Sequence, residues 1–279
     1  MTPEILRYAA FTDDPSGGNP AGVVLDATGL NDAAMLGIAA DVGYSETAFV
    51  TRQPGGELDV RYYSPLAEVP FCGHATIATA VAWAERHGSE PLVFGTRAGE
   101  VAVDVADGTP PRATLTSVAP SVAEVEPADL REALAALRWE EDDLDPAFPP
   151  RVAYAGAHHP VLAARTRPRL AALDYDFDRL AALMAARDWT TLQLVHRTGE
   201  HAFDVRDPFP PGGVVEDPAT GAAAAAFGGY LRELALIAVP ARLELRQGDD
   251  LGRPSRLTVE VPAEPGTGIR VSGAAVPIT

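Results

Sequence analysis

Lysine is absent from this 279-residue chain, and all 22 basic residues are arginine. Without a lysine there is no internal aldimine with pyridoxal phosphate and no phosphate-binding lysine of a Walker A loop, so both classes are excluded. Cysteine is almost absent too: the one thiol, Cys72, rules out an internal disulfide, and no group of Cys and His has the spacing of a zinc site. His158 and His159 are adjacent and followed by Pro160, which predicts a loop rather than a helix face carrying two ligands. No G-x-G-x-x-G opens a helix, so a dinucleotide fold is not indicated. No apolar run approaches the length of a membrane span. The opening MTPEILRYAA lacks the basic and apolar regions of a secretory signal, so a cytoplasmic protein is expected. With 39 acids the net charge is −17, which repels phosphate backbones, and neither nucleic acid nor an anionic membrane is an expected partner. The chemistry is therefore expected to need neither metal nor cofactor.

At this length the chain has room for one large domain or two ordinary ones. Runs rich in β-formers and bounded by turn residues predict strands over Ala21–Leu25, Thr47–Thr51, Leu58–Tyr63, Glu100–Val105 and Arg112–Leu115. Between them Asn31 is placed to cap a helix through Met35–Ala40, and the Ala-rich stretch His74–Arg86 reads as a buried helix. An acidic helix, Pro127–Trp139, and a Pro/Asp-rich stretch up to Pro150 suggest a crossing into a second α/β series.

That second series repeats the first. A shift of 145 positions lays residues 43–86 on residues 188–231 without a gap, with 9 identities in 44 places, among them Asp59-Val60-Arg61 on Asp204-Val205-Arg206. The expectation is two similar lobes about a pseudo-two-fold axis, with Cys72-Gly73-His74 opposite Asp217-Pro218-Ala219-Thr220-Gly221 at strand-to-helix turns. A helix beginning at such a turn offers unpaired N–H groups and partial positive charge to a carboxylate. Plain packing is the alternative: both segments also read as tight turns into core helices, Glu46 as a strand-edge acid or cap, His74 as a turn histidine and Asp217 as an N-cap.

Four ordered motifs carry a family resemblance: Phe11-Thr12 with Gly18-Asn19-Pro20-Ala21-Gly22-Val23-Val24-Leu25, then Ser45-Glu46-Thr47-Ala48-Phe49, then Pro70-Phe71-Cys72-Gly73-His74-Ala75-Thr76, then Glu216-Asp217-Pro218-Ala219-Thr220-Gly221. In order and spacing the chain resembles the PhzF (phenazine biosynthesis-like) family. The resemblance implies an α+β, diaminopimelate-epimerase-like fold, in which each of two pseudo-symmetric lobes is a mostly antiparallel sheet wrapped around a central helix. The lobes would span 1–118, joined by a last strand at about 266–279, and 119–265. It also implies a homodimer, with Glu46 as the acid/base carboxylate and His74 and Asp217 as its catalytic partners. Asn19, Ser45, Cys72, Gly73, Thr220, Gly221 and Ala222 then bind a small carboxylate-bearing substrate. The family usually has serine where this chain has Ala222, so only the backbone N–H is left there.

The expected function is a cofactor-independent isomerase that moves a hydrogen and a double bond in a small unsaturated acid, in secondary metabolism such as antibiotic biosynthesis. The alternatives are an amino-acid racemase or epimerase, which on this fold uses two thiols where this chain has one, and a non-catalytic small-molecule binder. A Cys-His hydrolase is disfavoured because the side chains of Cys72 and His74 are expected to diverge.

Overall fold

The computed structural model describes residues 3–279, and they fall into two compact units. The first comprises residues up to Thr116 together with Ser272–Thr279, and the second runs from Ser117 to Val271. In the first unit the order is β1 (Leu6–Ala10), β2 (Asn19–Val24), α1 (Asp32–Val42), β3 (Glu46–Arg52), β4 (Leu58–Tyr63), β5 (Glu68–Val69), α2 (Gly73–His87), β6 (Leu92–Thr96), β7 (Gly99–Ala106) and β8 (Arg112–Thr116). In the second it is β9 (Ser121–Glu124), α3 (Pro127–Leu137), β10 (Arg151–Tyr154), β11 (His158–Ala163), α4 (Arg167–Ala171), α5 (Phe177–Arg187), β12 (Gln193–Arg197), β13 (Ala202–Pro208), β14 (Glu216–Asp217), α6 (Gly221–Glu233), β15 (Ala241–Gln247) and β16 (Ser255–Val261). The last strand, β17 (Arg270–Pro277), returns the chain to the first unit, where Tyr8 faces Pro277 in an antiparallel pair with β1.

Each unit is a sheet around one helix. In the first, α2 packs on β1, β2, β3, β7 and β8, and every residue from His74 to Ala84 is buried. In the second, α6 packs on β9, β10, β11, β12 and β16 and is buried from Ala223 to Leu231. A helix buried on all sides shows no amphipathic stripe, and its alanines and glycines let strands approach closely. A side-chain methyl at Gly228 would lie 2.9 Å from Val259 and 3.0 Å from Ile269. Apart from these central helices, α3 and α5 pack on each other, and Leu134, Leu137, Leu180 and Met184 join a core inside the second unit. The acidic stretch after Pro120 is therefore part of that unit rather than a crossing segment.

His158 and His159, expected in a loop, are in strand β11, paired with Tyr154 and Ala153. Pro160 is accommodated within this strand, and the chain does not break there.

The internal repeat extends to hydrogen-bond register. Val50 pairs with Val60 in the first unit, and Val195 with Val205 in the second, both offset by 145. The gap-free alignment then fails at the next hairpin. Tyr62 pairs with Val69, seven residues on, whereas Asp207 pairs with Asp217, ten residues on. The three extra residues fall in a turn containing the 3-10 segment Pro210–Gly212. Beyond it the offset is 148, so Cys72 corresponds to Thr220 and not to Asp217, and His74 to Ala222. An ion-pair clamp verifies the corrected offset: Arg61 donates through Nε and Nη2 to both oxygens of Glu68, and Arg206 does the same to Glu216.

The two clamps differ in burial, with Arg206 side-chain exposure 9% against 27% for Arg61. Replacing Arg206 by leucine leaves Glu216 buried without its partner and should cost about 3–5 kcal/mol in urea unfolding. Arg61→Leu, in a solvated pair, should cost about 1 kcal/mol or less.

Candidate active site

In the first unit, Phe11 takes a left-handed backbone (φ 64°) and Gly18 does the same at φ 64°. A Cβ on Gly18 would sit 2.5 Å from the carbonyl oxygen of Ala10, so glycine is required for the chain to close the bend that delivers Asn19 to the start of β2. Parallel pairing of β2 with β3 sets Ala21 beside Glu46, the first residue of its strand. Cys72 occupies the extended position before α2, and His74 is the second residue of that helix.

These elements bring Asn19, Ser45, Glu46, Cys72 and His74 around one imidazole. Asn19 Nδ2 lies 3.1 Å from His74 Nδ1. An amide nitrogen can only donate, so Nδ1 accepts and the ring proton is on Nε2. That nitrogen is 3.4 Å from Glu46 Oε2 and 3.4 Å from Ser45 Oγ. Glu46, Cys72 and His74 are all buried, at 9%, 8% and 5% exposure. Cys72 Sγ is 3.4 Å from His74 Nδ1, so the two side chains converge, contrary to the sequence expectation. The extended Cys72 and the first helical turn place both on the same end of α2. Donor atoms of Glu46, Cys72 and His74 also lie within 4.8 Å of one another, a set that a zinc-like divalent ion would accept. Spacing in the sequence hid this set, because Glu46 reaches it from a separate strand.

No side chain caps the start of α2 or of α6, whereas Asn31 caps α1 and Asp176 caps α5. In the second unit Thr220 stands at the capping position of α6, but its hydroxyl donates to Asp217 Oδ2 at 2.6 Å instead. The first turns, with Gly73 and His74 in one unit and Gly221 and Ala222 in the other, therefore keep main-chain donors suited to an anion.

Gln193, Asp207 and Gln247 were not singled out in the sequence. Asp207 is fully buried, and burial pushes its carboxyl well above the usual carboxylate range, with Asp217 and Glu216 adding to the effect. With its amide nitrogen turned to Asp207, Gln193 donates to both oxygens, at 2.7 and 3.1 Å. The signal available was polar residues in the second half at strand positions where the first half has Ala48 and Tyr62.

The positions of the Glu46 pair are differently filled in the second unit. Thr191 stands where the first has Glu46, and its hydroxyl lies 2.8 Å from Nδ1 of the fully buried His159.

Comparison with known proteins places the chain in a family. The profile of the PhzC-PhzF family, described as phenazine biosynthesis-like protein, matches residues 8–279. An uncharacterized isomerase, YddE, of Salmonella typhimurium is 34% identical over 99% of this chain and 96% of its own length. The trans-2,3-dihydro-3-hydroxyanthranilate isomerase of Pseudomonas aeruginosa is 32% identical over 96% of this chain and 92% of its own. Among solved structures, a PhzF-family phenazine biosynthesis protein of Bacillus anthracis superposes with a TM-score of 0.88 at 26% identity, covering 99% of this chain and 98% of the other. A probable proline racemase of Agrobacterium radiobacter shares the fold, with a TM-score of 0.69 at 13% identity over 99% and 91%. Fold and relatives together define an isomerase on an α+β, diaminopimelate-epimerase-like framework. The chain belongs to the PhzC-PhzF, phenazine biosynthesis-like family. Among the described residues no helix is long and apolar enough to cross a membrane.

Burial, and then the neighbouring His158, lower His159 from 6.5 to about 3. The folded protein thus keeps this ring neutral while the unfolded chain takes up a proton below pH 6.5, so stability falls as pH drops from 6.5 towards 3. Between pH 7 and pH 5 the wild type should lose about 2 kcal/mol more unfolding free energy than His159→Gln, measured by urea titration at both pH values.

Proposed function

We propose that the protein moves a hydrogen and a double bond within a small unsaturated carboxylate by general acid/base catalysis, with Glu46 carrying the proton. The observation that supports this most is Glu46 Oε2 held 3.4 Å from the protonated Nε2 of His74, both side chains buried. Glu46 takes a proton from a carbon next to the conjugated system. The C–H electrons become the new double bond, the old double bond shifts, and the far carbon receives the proton back from Glu46. No electrons are gained or lost, and no second reactant is consumed. His74 Nε2–H steadies whichever Glu46 oxygen carries negative charge, and Ser45 adds a polar contact. The substrate carboxylate is assigned to the first-turn amides of Gly73 and His74, where negative charge delocalised from the carbanion also meets donors.

Asp217, Thr220, Gly221 and Ala222 are assigned to the same reaction, Asp217 as the partner that steers protonation and the others as ligands of the substrate. Support for this comes from their asymmetry with the first unit: the acid Asp217 has no counterpart beside Cys72, and Ala222 stands where His74 does. The first substrate to try is trans-2,3-dihydro-3-hydroxyanthranilate, the compound in the name of the Pseudomonas aeruginosa relative. A place in secondary metabolism belongs to the same proposal.

A second reading, epimerisation at one carbon, is favoured by Cys72 Sγ at 3.4 Å from His74. It predicts inversion at a single centre and loss of activity in Cys72→Ser, whereas the double-bond shift predicts new ultraviolet absorbance and a Cys72→Ser variant that still turns over, since a binding contact at this position needs no thiol chemistry.

Glu46→Gln keeps the shape and removes the proton carrier. With the dihydro acid in deuterated water, kcat should fall by roughly 10²–10⁴, and the residual product should take its new hydrogen from solvent as deuterium. Turnover at the wild-type rate would end the proposal.

A further inference from the structure

The second unit holds a buried polar cluster that its own fold does not require. Gln247, the last residue of β15, is 1% exposed. Its Nε2 donates to Asp207 Oδ2 at 3.0 Å, to the main-chain oxygen of Asp217 at 2.8 Å and to Thr220 Oγ1 at 3.1 Å. Its Oε1 accepts from the Thr220 amide at 3.0 Å. Thr220 in turn donates to Asp217 Oδ2. A single side-chain amide thus ties the strand carrying Asp207 to both Asp217 and the residue from which α6 starts, and Asp207 is itself held by Gln193 from β12.

The first unit shows what the same framework does without these groups. Matching registers place Ala48 at the position of Gln193, Tyr62 at that of Asp207 and Thr96 at that of Gln247. There the buried Tyr62 hydroxyl meets Thr76 Oγ1 at 2.7 Å, and no acid is used. A carboxyl fully removed from water, bonded to neutral amides, is an expensive choice when a tyrosine or an apolar residue serves the same fold. Its return is geometric, since a network with several bonds per member fixes side chains that fewer contacts would leave free to rotate.

We infer that Asp207 and Gln247 are positioning residues: they hold the Asp217 carboxylate and the first turn of α6 in the geometry the reaction needs, without touching substrate. The inference rests on the proposal that Asp217 takes part in catalysis. Gln193 supports Asp207 from behind, and Thr220 relays the constraint to Asp217. A displacement of Asp217 by about 1 Å is enough to slow a reaction by roughly 100-fold.

The test is a double-mutant cycle of Gln247→Leu with Asp217→Asn, with Gln247→Asn as the variant that keeps polarity but is too short to reach all three acceptors. With trans-2,3-dihydro-3-hydroxyanthranilate, both Gln247 variants should lower kcat by roughly 10- to 100-fold while KM changes by less than about threefold. In the Asp217→Asn background the same substitution should change kcat by less than about twofold, because the residue through which it acts is already lost. Asp207→Leu should behave as Gln247→Leu does. Multiplicative effects in the cycle would overturn the inference. A second readout needs no turnover. Exchange of the Thr220 amide, protected by Gln247 Oε1, and the NMR titration midpoint of the Asp217 carboxyl are followed in the wild type and in Gln247→Asn. Selective acceleration at Thr220 with a moved midpoint supports the inference. An unmoved midpoint, or uniform acceleration across β12–β16, assigns the cluster to folding alone and overturns it. Should the wild type leave the dihydro acid unchanged, the substrate assignment fails, and the exchange and titration data decide this inference alone.

Discussion

Asn19 settles where the single ring proton of His74 sits. Its amide nitrogen faces Nδ1, so Nε2–H is turned towards Glu46, and that buried carboxylate has a donor at its side. The bend between Phe11 and Gly18, the parallel register of β2 with β3 and the start of α2 at Gly73 all serve this arrangement. Each fixes one of the three side chains to within a hydrogen bond. Displace any of them and the imidazole has another tautomer or another partner. The arrangement around the imidazole therefore depends on backbone geometry at three places, two of them far from Glu46 in sequence.

Both units solve the same packing problem in the same way, with a small-residue helix buried inside a sheet and an arginine–glutamate clamp on the hairpin before it. They differ in what they place on the solved frame. The first unit puts Glu46 and His74 where the second has Thr191 and Ala222. The second puts Asp207, Gln193 and Gln247 where the first has Tyr62, Ala48 and Thr96.

Much of this was legible in the sequence. Asn31 as a helix cap, Leu58–Tyr63 as a strand and the buried Ala-rich helix follow from local side-chain chemistry, and the structure has all three. The motifs that carry the family resemblance also include every residue now found around His74. What sequence could not supply was the longer hairpin before α6, because an insertion of three residues in a turn leaves both flanking patterns intact. The convergence of Cys72 with His74 was missed for a related reason: spacing along the chain says little about directions at a helix start, where the backbone changes from extended to helical within one residue. Asp207 escaped notice because a buried acid looks like a surface one until its neighbours are known.

The claim that one shielded carboxylate both removes and returns the hydrogen is tested most directly by tracing a label. The substrate to use is trans-2,3-dihydro-3-hydroxyanthranilate deuterated at the carbon that loses its hydrogen, in ordinary water and under single-turnover conditions, with product analysed by mass spectrometry and NMR. A lone carrier sheltered from solvent predicts that a measurable share of the deuterium reappears on the carbon that gains hydrogen. Complete loss of the label to water, with the product protonated from solvent alone, would contradict the account.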